Sequence, residues 1–235
     1  RDEALTLFDR AIAVPGDAPL RGIAKLEKAR LMIDLNRLAP AIDFCLQQAG
    51  LEAANVHGVA VGTGPGLFTG LRVGLATAAT FAAARNLPTV GLSGLDVLAF
   101  SARYTQRPIC AVLDARRGEL FWAFYRSLPG GVQRETDPVV GRPEQLAADI
   151  EAHAGEVLAV GDGAMVARQA LVDAGAEVAG PDLAWPDAAD LAVLAVPRFV
   201  REETTRPEHL RPIYLRQADA RIGWVQHDGP VTDER

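Results

Sequence analysis

The stretch from Val56 to Arg85 constrains this chain more than any other. A short apolar run, Val56 to Gly62, leads into Gly62-Thr63-Gly64-Pro65-Gly66, and Phe68 to Arg85 then continues without proline and rich in alanine and leucine. An apolar run, a glycine-rich turn and a long proline-free segment predict strand, loop and helix in that order. Asn86 and Pro88 stop the helix, Thr89 to Leu92 gives a second short strand, and Leu95 to Tyr104 a further helix. Upstream, Leu38, Ala41, Ile42, Cys45 and Ala49 share one helical face, and Gly50 stands where a left-handed terminator belongs, so a helix is expected over 37–49. Alternation of this kind implies α/β layers.

A second unit is expected from Pro108. Ile109 to Leu113 and Leu120 to Tyr125 flank the turn Asp114-Ala115-Arg116-Arg117-Gly118, a hairpin signal. A polar strand after Gly131, helix over 143–152, strand over Val157 to Val160, helix over 165–174 and a last helix over 187–199 complete it. Residues 2–12 and 22–35 read as amphipathic helices separated by Pro15, Gly16 and Pro19, with no strand signal before Leu38. The tail after Ala220 reads as loosely ordered.

Composition narrows the function. Of 235 residues, 49% are apolar and 23% charged, the balance of a globular protein rather than a disordered one. A net charge of −6 argues against binding nucleic acid alone, which needs clustered lysine and arginine. No run of about 18 apolar residues offers a membrane span, so a cytoplasmic protein is expected. Cys45 and Cys110 lack zinc or disulfide spacing and are expected as buried thiols.

Chemistry could reside in several places. The loop at Gly62 to Gly66 could offer backbone amides to a phosphate, although it is neither a Walker A loop nor a dinucleotide fingerprint. Gly70, Gly74, Ala78 and Ala82 recur every fourth residue and leave one helical face almost bare, suited to close packing on the chain's own sheet or against an outside helix. Ser93, in Gly91-Leu92-Ser93-Gly94-Leu95, lacks the glycine a nucleophile elbow needs and is expected to cap the next helix. Asp114, with Arg116, Arg117 and Glu119, fits a solvated hairpin turn or charges around a nucleotide. Gly161-Asp162-Gly163-Ala164 fits a nucleotide loop or a plain helix start. Trp122, Phe124 and Tyr125 read as core.

Residues 62–100, GTGPGLFTGLRVGLATAATFAAARNLPTVGLSGLDVLAF, resemble the signature region of the TsaB family, also called YeaZ. LAPAIDFCLQQAGL at 38–51, VLDARRGELFWAFYR at 112–126 and LRPIYLRQADA at 210–220 resemble its actinobacterial form, and the similarity spans about 38–225. The resemblance implies a two-lobed actin-like, ribonuclease H-like α/β fold, with lobes over 38–106 and 107–220 and a tail over 221–235. It also implies a non-catalytic subunit without cofactor that supports N6-threonylcarbamoyladenosine formation at position 37 of tRNA. Its partners would be a TsaD-type paralogue and a TsaE-type ATPase, with a homodimer in their absence and tRNA reached only through the complex. By residue match the partner face comprises Leu38, Ile42, Cys45, Gly70, Gly74, Ala78 and Ala82. A vestigial nucleotide site would involve Asp114, Gly161 and Gly163. TsaD-like enzymes hold a metal through two histidines four apart on a helix, and His57, His153, His209 and His227 form no such pair. Family members open with three strands that have no counterpart in residues 1–37, so the N-terminal lobe is expected to lack them. The alternative is a standalone actin-fold enzyme, a peptidase or an ATP-dependent phosphotransferase.

Overall fold

The computed structural model describes residues 38–215, and the expectations for residues 1–37 and for the tail lie outside them. The first helix among the described residues, α1, is Leu38–Gln48, and the chain turns after it at Gly50, whose φ of +67° is the left-handed terminator expected there. Strand β1 (Val59–Gly62), helix α2 (Phe68–Ala84) and strand β2 (Thr89–Leu92) follow as a βαβ unit. The two strands pair in parallel, Val59 opposite Thr89 and Gly62 opposite Leu92. Among the described residues they form a two-stranded sheet. Helix α2 ends where predicted, with Asn86 at φ +52°.

Helix α3 (Gly94–Ser101) leads to the hairpin of β3 (Ile109–Arg116) and β4 (Glu119–Leu128). Next come β5 (Gly131–Arg134), β6 (Val139–Gly141), α4 (Pro143–Ala152), β7 (Leu158–Val160), α5 (Asp162–Val166), α6 (Arg168–Asp173), β8 (Glu177–Val178) and α7 (Ala188–Val200). The second sheet runs β5-β4-β3-β7-β8, with β6 also paired to β4. The single helix expected over 165–174 is two short ones, broken at Ala167, whose ψ of 12° leaves the helical path.

Both faces of the second sheet are covered, which explains the nearly unbroken apolar runs in β3 and β4. On one face Val112, Trp122 and Phe124 pack with Leu146, Ile150 and Leu171 from α4 and α6. On the other, Ile109, Ala111 and Tyr125 pack with Leu95 and Leu98 of α3. The aromatic trio is core, as expected, and the Trp122 indole, 1% exposed, donates to Asp149 Oδ2 at 2.9 Å, supplying the partner a buried N–H requires. Cys110 is buried among these residues, and burial pushes its thiol well above the ordinary range.

Chain order and packing diverge at α7. Its Ala195, Leu191, Leu194 and Phe199 pack on Val90 and Leu92 of β2 and on Ala60 of β1, so a helix late in the sequence forms part of the first lobe's core. The aromatic ring of Phe199 lies against Gly58, where a Cβ would come within 2.7 Å of it. No helix among the described residues is long and apolar enough to cross a membrane.

Candidate functional site

The glycine-rich loop after β1 sits at the carboxyl ends of two parallel strands, where α/β proteins place ligands. Here the chain itself occupies that position. The Thr63 amide donates to the Leu92 carbonyl at 2.7 Å, and the Thr63 hydroxyl donates to the same oxygen at 3.0 Å. Gly94 N–H donates to the Gly64 carbonyl at 2.8 Å, and Ile213 N–H to the Thr63 carbonyl at 2.8 Å. The segment from Leu210 to Leu215 thus straps the loop, and the Arg72 guanidinium of α2 donates to the Tyr214 hydroxyl at 2.9 Å. Gly64, at φ +93°, has no room for a side chain, since a Cβ would meet Leu71 at 3.0 Å and the Ile213 carbonyl at 3.3 Å. Thr63, Gly64 and Pro65 are buried. The loop works as a joint between β1, β2 and the strap rather than as an open phosphate cradle. Ser93 occupies the N-cap position of α3 but does not cap it; its buried hydroxyl has no hydrogen-bond partner among the described residues.

The three nucleotide-site candidates do come together. Asp114 ends the regular pairing of β3, and Arg116, Arg117 and Gly118 turn the hairpin with φ of +63°, +56° and +77°. The Asp114 carboxylate accepts from the Arg116 amide at 2.8 Å and pairs with its guanidinium at 2.9 Å, holding that unusual backbone in place. Gly161 and Gly163 have a tight steric role. A Cβ on Gly161 would lie 1.9 Å from the Val112 carbonyl oxygen, and one on Gly163 would lie 2.7 Å from the Leu113 carbonyl carbon. Both glycines let the start of α5 lie directly on the backbone of β3.

Between them sits Asp162, named in the sequence only as part of the Gly161-Asp162-Gly163-Ala164 turn. Its Oδ1 accepts from the Asp114 amide at 3.0 Å, tying α5 to the hairpin. Burial pushes the Asp162 carboxyl above its ordinary value, and the amides of Asp114 and Gly163 offset only part of that effect. A carboxyl with a raised folded-state pKa favours folding when protonated, and this contribution is lost as pH rises through that pKa. Asp162→Asn keeps the accepting oxygen and removes the charge. Its urea midpoint relative to the parent should therefore improve between about pH 4, the ordinary carboxylate range, and neutrality; an unchanged or opposite difference would contradict this account.

The third region is the surface of α1 and α2. Leu38 begins α1, Cys45 is exposed on it, contrary to the expected buried thiol, and Ile42 is half-buried. The row Gly70, Gly74, Ala78, Ala82 does not stay on one side. Four residues turn a helix by about 400°, so the row rotates by about 40° per step. Gly70 is exposed and Ala82 fully buried. Gly74 and Ala78 line a groove of about 420 Å3 with Phe81, Ile42, Leu46 and Val59, so the bare face looks toward α1 and β1. Besides Gly70, Arg72 and Ala84, α2 presents Thr69, Val73, Ala76, Thr80 and Ala83 to solvent, an uncharged stripe with the 4-3-4-3 spacing of a helix-pairing seam, bordered by Arg72. The signal that could have found it is the absence of charge from Phe68 to Ala84 apart from Arg72.

A βαβ unit and a larger mixed sheet, joined through α3, which packs Val97 into one core and Leu95 and Leu98 into the other, fit the two-lobed actin-like class. The family described as TsaD: tRNA N6-adenosine threonylcarbamoyltransferase matches residues 35–224. The chain is 29% identical over 197 residues to the tRNA threonylcarbamoyladenosine biosynthesis protein TsaB of Escherichia coli (strain K12), covering 82% of this chain and 84% of that one. It is 30% identical over 190 residues to the protein of the same name from Haemophilus influenzae, covering 77% and 78%. The solved structure of YeaZ from Pseudomonas aeruginosa superposes with a TM-score of 0.65 at 28% identity, over 77% of this chain and 83% of that one. The chain belongs to the TsaB (YeaZ) family.

Proposed function

We propose that this chain is a non-catalytic subunit for the formation of N6-threonylcarbamoyladenosine in tRNA, pairing through α1 and the outer face of α2 with a TsaD-type threonylcarbamoyltransferase. The observation that carries this reading is the uncharged stripe Thr69, Val73, Ala76, Thr80 and Ala83, with small side chains that admit a partner backbone at close range. The relatives that bear the TsaB name supply the reaction. The sealed loop at Thr63 and the steric roles of Gly161 and Gly163 support a scaffold over a nucleotide-using enzyme. A TsaE-type ATPase joins the pair, tRNA is reached only through the assembled complex, the compartment is the cytoplasm, and without its partners the chain forms a homodimer through the same helices.

Reconstitution tests this. A TsaD-type enzyme and a TsaE-type ATPase supplied with threonylcarbamoyl adenylate and tRNA should give little modified tRNA without this chain. At least tenfold more is expected when it is added, with no turnover by this chain alone. Equal modification with and without it, or turnover by the isolated chain, would refute the reading.

A further inference from the structure

At the end of β2 and away from the α2 stripe, a cavity of about 240 Å3 opens where α3, the β4–β5 hairpin and α7 converge. Leu92, Val132 and Leu194 give it aliphatic walls, and Asp96, Tyr125, Arg134 and Arg198 supply its polar groups. Three of those four satisfy one another. Asp96 Oδ1 accepts from the Tyr125 hydroxyl at 2.8 Å and from Arg134 Nε at 3.0 Å, and Arg134 Nη2 reaches the same oxygen. Burial, with Asp96 alongside, pushes the Tyr125 phenol above its ordinary value, so it remains a donor well above neutral pH.

Arg198 differs. Its guanidinium makes no hydrogen bond or ion pair among the described residues, although it is half-buried. The nearby Glu203, whose carboxylate its charge influences, is already forked by Arg201, with Arg201 Nε donating to Oε1 at 2.6 Å. The Asp96–Arg134 pair is mutually satisfied, which leaves Arg198 as the cavity guanidinium with no hydrogen bond among the described residues, facing aliphatic walls. A guanidinium in such a place is suited to a carboxylate, which it binds through two parallel hydrogen bonds.

Size and lining narrow the ligand. The cavity is smaller than the roughly 300 Å3 at which drug-sized sites begin. A bare ion such as phosphate would leave Leu92, Val132 and Leu194 uncovered. We propose that this cavity binds a small aliphatic monocarboxylate, its carboxylate forked by Arg198 and its hydrocarbon end seated against Leu92, Val132 and Leu194. The site is independent of the subunit role above.

Sodium butyrate, sodium acetate and inorganic phosphate, titrated separately into the full chain at constant ionic strength, test the proposal through the arginine Nε–Hε resonances and calorimetry. Butyrate should shift an Nε–Hε resonance absent from Arg198→Met spectra and bind at least tenfold more tightly than acetate or phosphate. Arg198→Met, which keeps the aliphatic stem, should lose at least tenfold in butyrate affinity with an unchanged melting temperature, and Arg198→Lys should fall between. No binding of butyrate at tens of millimolar, equal affinity in Arg198→Met, or equal affinity for all three anions would overturn it.

Discussion

Val73→Asp is expected to abolish pairing with a TsaD-type partner while leaving the isolated fold intact. Val73, 43% exposed, is the largest side chain of the uncharged stripe of α2. In the free subunit the new carboxylate stays in water, and valine and aspartate have similar helix propensities, so the stability change should remain within about 0.5 kcal/mol. In a close helix-to-helix contact lined on this side by threonine and alanine it would be desolvated. An unpaired charge buried in this way costs several kcal/mol, so a loss of at least about 2.7 kcal/mol, roughly a hundredfold in dissociation constant, is expected. Val196→Asp is the matched control: Val196 is 57% exposed on α7, outside the proposed interface, and its substitution should leave pairing unchanged. Calorimetric titration of the partner into each variant, with light scattering to follow self-association, separates the outcomes. If both variants pair normally, α2 is not the contact; if both fail, the contact is wider than the stripe.

The distinction between the stripe and the glycine row marks where the sequence stopped being informative. Local punctuation carried the elements: Pro88 before β2 and Gly50 after α1 act through their own backbone preferences, and the structure places them as read. The glycine row was visible, but which side of α2 faces inward depends on where α1 and β1 lie, a tertiary fact. Cys45 illustrates the same limit, since it shares a helical face with Leu38 and Ile42 yet is exposed. Strand β6 escaped because three residues between Pro138 and Arg142 carry no period; it exists through its pairing with Leu120 to Trp122. That α7 completes the first lobe's core was likewise invisible, since its apolar face does not say which sheet it will meet.

At the Gly161 turn, the competing readings lead to opposite results for one substitution. If Gly161 and Gly163 served chiefly as a nucleotide loop, Gly161→Ala would weaken ligand binding and leave the apo protein largely intact. The structure leads to the reverse expectation. Gly161 holds φ at +113°, a region that side-chain-bearing residues rarely adopt, and its missing Cβ would lie 1.9 Å from the Val112 carbonyl oxygen in β3, a central strand of the sheet. That oxygen belongs to backbone and cannot rotate aside, so α5 must lift from the sheet. Lifting α5 also draws Asp162 away from the Asp114 amide and loosens Ala164 from the core beside Val112 and Leu171. Strain of about 1–3 kcal/mol from the backbone and a similar amount from overpacking give a loss of roughly 2–6 kcal/mol. Against a total stability of about 5–15 kcal/mol, this should lower the urea midpoint by more than about 1 M and reduce soluble yield. Gly66→Ala supplies the comparison, because a Cβ there meets nothing within 4 Å and φ is unexceptional, and its midpoint should hardly move. A Gly161→Ala protein with the parent's urea midpoint would return this turn to the ligand reading; a collapsed midpoint would identify it as the packing contact that lets α5 rest on β3.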